Sequence, residues 1–362
     1  MPRNNIIMNN PFFIVLTFII VLFLYIHITS QWTTSNDLEI YESDYESAKQ
    51  VQEVCSVKQP VIFKLNPHEP SVAPFFDRFQ APLFEKYDNL DVRIKDSNDY
   101  ATGQSVDYVP VSFRSTRRLL TTDTTGKYFS EKNNDFLEES GLDRLLAIID
   151  GILKPPLTAI VKHDIILGSP HVKTPLRYRL ESHNFLACTR GKIRVKMCPP
   201  KYGKILPLQK DYENYEFLST INPWSSESNN SKENREVMSR IKFLDFELVP
   251  GDILFLPPYW WYSCSFGGDP DSTIAEFSYD VAMNILAQSK HWLLYYLQQS
   301  NIKTKPAKTL VLSEDGPQEK EQSDNKREPA TQNSMPEEPA APLKREIITN
   351  AGTYVVGGDQ ID

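Results

Sequence analysis

The sequence predicts a mainly β domain with flanking α-helices, carried behind one N-terminal transmembrane helix and followed by a tail without fixed structure. Three observations point there. Pro11 to Ile28 is near-continuously apolar, with no acidic or basic residue apart from His27 at its far end. From Leu157 onward the pattern is one of short apolar or alternating runs punctuated by Gly and Pro, which reads as strands and turns. From about Lys303 the composition turns to Pro, Glu, Lys, Gln, Ser and Asn, with too few apolar side chains to offset the entropy of ordering. The 362 residues, 40% hydrophobic and 11% aromatic, supply enough apolar surface for one large domain between these ends.

The apolar run is just long enough to cross a bilayer, which takes roughly 17 to 25 helical residues. Arg3 and the amino terminus precede it, and Asp37, Glu39, Glu42, Asp44 and Glu46 follow. That bias puts the N-terminus in the cytosol and the domain on the lumenal or exterior side. A cleaved signal peptide is the rival reading, but Ile28-Thr29-Ser30 makes a weak cut site. The organisation expected is a short cytosolic N-terminus over 1–10, a signal anchor over 11–30, an acidic stalk over 31–58, the domain over 59–302 and the tail over 303–362. This makes a single-pass membrane protein. Asn229-Asn230-Ser231 is a glycosylation sequon usable in that topology.

Within the domain, Pro60 to Phe63 is a short apolar strand. Phe75 to Tyr87 mixes aromatic and charged residues as a helix would, with a break expected at Pro82, and Leu90 to Ile94 alternates like a strand. Tyr108 to Phe113 carries an internal proline and reads as an edge strand. Asp135 to Leu153 repeats Leu and Ile at helical spacing, interrupted at Gly141 and ended by Pro155-Pro156. Two strands follow, Ala159–Val161 and Asp164–Gly168, then further strands to Pro200 and a polar loop between Lys201 and Arg240.

The chain is organised around Phe246 to Phe266. Phe246 and Leu248 lead into Pro250-Gly251-Asp252, and Ile253 to Leu256 runs on to Pro257-Pro258, which reads as two strands joined by a tight turn, a buried hairpin. Tyr259-Trp260-Trp261-Tyr262 then begins another strand, and four large rings at one junction read most simply as a core plug. Thr273, Ala275, Phe277 and Tyr279 alternate along a last strand, and Ala282 to Gln299 is helical, with core packing its expected role.

Net charge is −8, without a basic stripe interleaved with aromatics, so no nucleic-acid surface is expected. Cys55, Cys188, Cys198 and Cys264 have no C-x-x-C spacing, which argues against a zinc site or a disulfide framework. Single buried thiols are the default, with one bridge in the strand region left open.

Two stretches carry a resemblance to a known family. Phe246 to Phe266 resembles the distal half of the JmjC and cupin-like double-stranded β-helix, in which a Pro-Gly-Asp turn, a short strand and a proline lead to Trp-Trp-His, the His being a metal ligand. Ile165 to Pro200 resembles the family segment built on Thr/Ser-Pro-Leu-His-x-Asp, an Asn-Phe strand, a Gly turn, a Lys-bearing strand and Pro-Pro. The matching residues here are Leu167-Gly168, Thr174-Pro175-Leu176, His183-Asn184-Phe185, Gly191 and Pro199-Pro200. The resemblance covers roughly residues 59 to 300 and implies a jelly-roll barrel. It also implies, for the family's protein hydroxylases and demethylases, dependence on Fe(II) and 2-oxoglutarate.

The resemblance places the family's metal-ligand positions on Arg177, Arg179 and Tyr262, and its cosubstrate-lysine position on Ile193. Read back from Asn184, the first two fall instead on Tyr178 and Leu180, and neither register supplies a ligand. Arginine is not deprotonated in proteins, and a neutral phenol is a poor substitute for the imidazole that suits ferrous iron. Nor do His163, His171, His183, Glu181 and Glu276 combine into two histidines and a carboxylate at the matching places. Tyr178, Asn184, Lys192, Trp260 and Trp261 remain as candidate pocket residues. The two arginines are expected either to bind a small anion through their forks or, more simply, to form salt bridges with residues such as Glu181. The function expected is that of a pseudoenzyme without cofactor, a binding or structural module with an unknown protein or small anionic ligand as partner. The alternative is an Fe(II)/2-oxoglutarate oxygenase that hydroxylates a protein through non-standard ligands.

Overall fold

The computed structural model describes residues 11–79, 85–102, 108–224, 232–269 and 272–301, together with four short strands nearer the C-terminus. The N-terminal 1–10, the expected break at Pro82 and the sequon at Asn229 lie outside the described residues. Helix α1, Pro11–Trp32, has a mean hydropathy of 2.6 and no buried side chain.

The next elements are β1 (Tyr41–Asp44), α2 (Ala48–Cys55), β2 (Val61–Lys64), α3 (Ala73–Arg78), β3 (Asp91–Asp96), β4 (Val109–Ser112), α4 (Phe113–Thr122) and β5 (Tyr128–Ser130). Helices α5 (Asn134–Ser140) and α6 (Asp143–Leu153) follow, broken at Gly141, whose φ of 72° is the left-handed conformation that glycine adopts freely. Strands β6 (Thr158–Gly168), β7 (Leu176–Tyr178), β8 (His183–Arg190), β9 (Ile193–Cys198), β10 (Leu208–Asp211) and β11 (Glu216–Ser219) come next. Helix α7 (Lys232–Arg240), strands β12 (Leu244–Leu248), β13 (Asp252–Leu256), β14 (Trp261–Phe266) and β15 (Thr273–Val281), and helices α8 (Ala282–Ala287) and α9 (Ser289–Gln299) complete the domain.

The strands form two sheets. One has the order β1-β2-β13-β8-β15-β6-β5-β3-β4, the other β10-β11-β7-β14-β9-β12. Apart from the parallel pair β1 and β2, the pairings are antiparallel, and the two sheets enclose one core as in a cupin sandwich. Alternate residues of each strand fill it: Leu186 and Cys188 from β8, Ile193, Val195 and Met197 from β9, Leu254 and Leu256 from β13, Tyr262, Cys264 and Phe266 from β14. β15 is buried on both faces because helices cover its outer side, where Phe277 meets Phe75 of α3 and the Tyr279 hydroxyl donates to Asp150 of α6 at 2.6 Å.

Three expectations are corrected. The supposed hairpin is an arch: β12 pairs with β9 in one sheet while β13 pairs with β2 and β8 in the other. Gly251, at φ 102°, turns the corner, its N–H donating to the Cys188 carbonyl at 3.2 Å. The supposed stalk belongs to the domain. Its acidic residues face outward, but β1 extends the nine-stranded sheet through β2, and α2 buries Val51 and Cys55. The two strands expected on either side of Lys162-His163 are one, because His163 stays extended and pairs with Asp150 at 2.8 Å instead of turning.

The C-terminal unit, Pro306–Asp362, is described only as two antiparallel pairs. These are β16 (Val311–Ser313) with β17 (Gly316–Gln318), and β18 (Glu346–Thr349) with β19 (Gly352–Val355). The rest of the tail expected to lack fixed structure lies outside the described residues.

Candidate functional site

β7 supplies the first part of the site. It pairs with both β11 and β14, so Arg177 lies directly opposite Tyr262. Arg177, 3% exposed, points into the barrel and meets Glu131. Its guanidinium carbon lies 5.5 Å from the centre of the Tyr262 ring. Arg179, two residues on and on the same face, donates from Nε to the Tyr262 hydroxyl at 3.2 Å and from Nη2 to Oε2 of Glu276 at 2.8 Å, with the other oxygen of that carboxylate 2.6 Å from Nη2. The three side chains therefore converge on one point of the interior, and each arginine already holds a carboxylate.

Glu131 follows β5 directly. The chain turns there through Lys132, at φ 63°, and Asp164 of β6 secures the turn. Its Oδ2 accepts the Lys132 N–H at 2.6 Å, and its Oδ1 accepts those of Asn133 and Ile165 at 2.8 Å. The Tyr108 hydroxyl lies 2.6 Å from an oxygen of Glu131 and 2.6 Å from one of Glu216; having one hydrogen, it donates to one of them at a time. Glu216 is held by Lys132 at 2.6 Å and faces Lys95 at 3.8 Å. Four cationic side chains thus oppose four carboxyl groups inside the barrel, which keeps the cluster near neutrality when all are charged.

Burial sets the charge states, modified by these neighbours. Burial alone would raise Glu131, but the Arg177 guanidinium overrides it and holds the carboxyl at about 2. Burial, followed by the nearby Glu276 carboxylate, pushes Asp164 up to about 7 despite its backbone N–H bonds. Burial pushes the Tyr262 phenol up to about 12 against the pull of the two guanidiniums, so it stays protonated at neutral pH.

The other candidates fall in different places. Ile193 is wholly buried in the core between Leu248 and Phe266. Asn184 faces the interior, accepting from Ser278 at 2.9 Å and donating to the Glu181 carbonyl at 3.0 Å. Trp260 is a core residue whose indole donates to the Ser35 carbonyl at 3.1 Å. Three candidates do not line the interior. Tyr178 and Trp261 alternate to the outer face of the six-stranded sheet and pack edge-to-face at 4.8 Å in a second cluster with Leu176, Cys198 and Leu206. Lys192 stands outside the barrel, paired with Glu247 at 3.1 Å. Glu181, expected as an arginine partner, pairs instead with Lys162 at 3.5 Å. The partners, Glu131 just after β5 and Glu276 on β15, lie far away in sequence.

The profile of the cupin-like domain family matches residues 47–285. The chain belongs to that family. No curated protein matches it in sequence. The matched segment includes β1's neighbour α2, consistent with a domain that begins before Gln59.

Cupin-like domains include Fe(II)- and 2-oxoglutarate-dependent oxygenases, so the interior side chains can be tested against such a metal. They do not fit. Two guanidiniums are permanently cationic and have no lone pair to give, and the Tyr262 phenol holds its proton. Among the described residues, no three His, Cys, Asp or Glu side chains form a group that could hold a metal ion. An anionic ligand at the same place would have to displace Glu131 or Glu276 from the forks.

Proposed function

We infer that the protein is a membrane-anchored, non-catalytic member of the cupin-like family, its barrel serving as a binding or structural module for a protein partner. In this reading Arg177, Arg179 and Tyr262 stand at the family's ligand positions and Ile193 at its cosubstrate-lysine position. The observation that carries it is the closure of the interior cluster, with Arg177 on Glu131, and Arg179 on Glu276 and Tyr262. α1 is the anchor, with the N-terminus cytosolic and the domain on the lumenal or exterior side. Supporting this are its length, its hydropathy and the acidic residues that follow it.

The test is metal content. The full chain, purified anaerobically in detergent and reloaded with Fe(II) and then Mn(II), is expected to retain only sub-stoichiometric metal by elemental mass spectrometry and to show no thermal stabilisation. One tightly bound ion per chain would overturn the reading in favour of an oxygenase with rebuilt ligands. Substituting His171, His183 and Glu181 would then identify them.

A further inference from the structure

Helix α1 reaches about 33 Å at about 1.5 Å per residue, barely more than the roughly 30 Å of a bilayer's hydrocarbon core. Its last turns are not free. α1 packs on α8, with Leu24 and Ile28 half-buried, and the Trp32 indole donates to the Ala287 carbonyl at 3.1 Å. The chain after it is also tied down. Thr34 donates to the Lys58 carbonyl at 2.8 Å and Ser35 receives the Trp260 indole at 3.1 Å. A helix that needs nearly its whole length to span, and whose final turns are fixed to α8, brings α8 and α9 to the level of the lipid headgroups.

Those helices are built for that position. Their inner side is fixed to the barrel: the Asn284 amide donates to the Leu180 carbonyl at 2.9 Å, His291 meets the Tyr212 hydroxyl at 3.0 Å, and Trp292 stacks on Tyr215. The exposed side presents Leu286 of α8 and Leu293, Tyr296 and Leu297 of α9, 51 to 64% exposed, the last three at spacings of three and one that keep them on one side of α9. From Ala282 to Gln299 there is no carboxylate, although the whole chain carries 47. Leu and Tyr on one face without acids suit the apolar–headgroup boundary of an anionic or neutral membrane.

We propose that this face of α8 and α9 lies in the membrane interface, so that the domain is seated on the bilayer and not merely tethered to it. The proposal rests on α1 being the anchor. It fixes which end of the barrel is turned from the membrane, namely the arch at Val249, where Gly251 binds Cys188 near the far end of β8.

The chain's four cysteines are buried, so one introduced on the surface is labelled selectively. Leu293→Cys, Leu297→Cys, Phe18→Cys and Val249→Cys, each in the full chain with a bimane label, are reconstituted in nanodiscs of ordinary or acyl-brominated phosphatidylcholine. Labels at 293 and 297 are expected to lose fluorescence in brominated lipid to a degree approaching that at 18, with no loss at 249. Quenching at 18 but not at 293 and 297 overturns the proposal and leaves the anchor standing; that includes the case where a second chain shields the two labels. Absence of quenching at 18 overturns the anchor itself and the seating with it.

Discussion

Arg177 and Glu131 face each other through two parallel hydrogen bonds, Nη1 to Oε1 at 2.7 Å and Nη2 to Oε2 at 2.6 Å, with both side chains almost wholly buried. Such a fork-to-fork pair is strong only while both members are present. Removing one leaves a charge in a low-dielectric interior, which typically costs about 3 to 5 kcal/mol, whereas replacing both by apolar residues of similar volume is often close to neutral. Arg177→Met and Glu131→Leu are each expected to destabilise the domain by that order. The double variant should recover most of the loss, as read by urea unfolding of the full chain in detergent. Additive losses would show that the two side chains are not coupled.

The same pair sets the acid limit. Glu131 has a folded value of about 2, below the ordinary glutamate value of about 4.3. Its contribution is therefore present above about 4.3 and lost as the pH falls through the folded value. Asp164 works in the opposite direction. Raised to about 7, it contributes fully below its unfolded value of about 3.9 and that contribution is lost as the pH rises through 7. Unfolding free energies measured between pH 2 and 9 should fall on both sides of a mildly acidic maximum. Glu131→Gln is expected to flatten the acid limb and Asp164→Asn the alkaline one, whatever each does to absolute stability. An unchanged alkaline limb in Asp164→Asn would remove that carboxyl from the account.

The buried thiols follow from the same desolvation. Burial pushes Cys188 and Cys264 up to about 12 and raises Cys55 and Cys198 still further, and the four are free. The bridge left open by the sequence is absent. Since the thiolate is the reactive form, iodoacetamide should leave all four unmodified in the native full chain and alkylate all four after denaturation. Mass spectrometry reads both; rapid native alkylation of any one would show that its segment opens locally.

How much of this was legible in the sequence depended on how local each signal is. Alternation about Ile193 was a local signal that argued against Lys192 as a pocket residue: with Ile193 inside, Lys192 and Arg194 fall on the other side, where Glu247 and Asp245 pair with them. The Gly141 break between two helices was equally local. The arch at Gly251 was not, because a tight turn between two apolar strands looks the same whether they pair with each other or with β9, β2 and β8, which lie elsewhere in the chain. Val51 and Cys55 were hidden behind the acidic outer face of their segment. Glu131 carried no motif: a single carboxylate after a strand becomes a site residue only when the sheets bring it opposite Arg177. The alternation of β15 did contain a usable signal, since setting Phe277 and Tyr279 on one face leaves Glu276 and Ser278 on the other, beside Arg179 and Asn184.

The proposed correspondence of Arg177, Arg179 and Tyr262 to the family's ligand positions makes a further prediction: installing the family's ligand set there creates a metal site. In Arg177→His/Arg179→Asp/Tyr262→His, two imidazoles and a carboxylate replace two cations and a phenol, while Glu131 and Glu276 lose their partners. The metal-free variant should therefore be less stable than the parent. A divalent ion restores positive charge next to those carboxylates and finds the two-histidine, one-carboxylate set that suits ferrous iron. Adding Mn(II) to the full-length variant is expected to raise its melting temperature and to leave one ion per chain after desalting, with no change in the parent protein. A variant that folds but takes up no Mn(II) would mean that these three positions do not correspond to the family's ligands. The closed cluster would then be a structural feature of this barrel and not the remnant of a metal site.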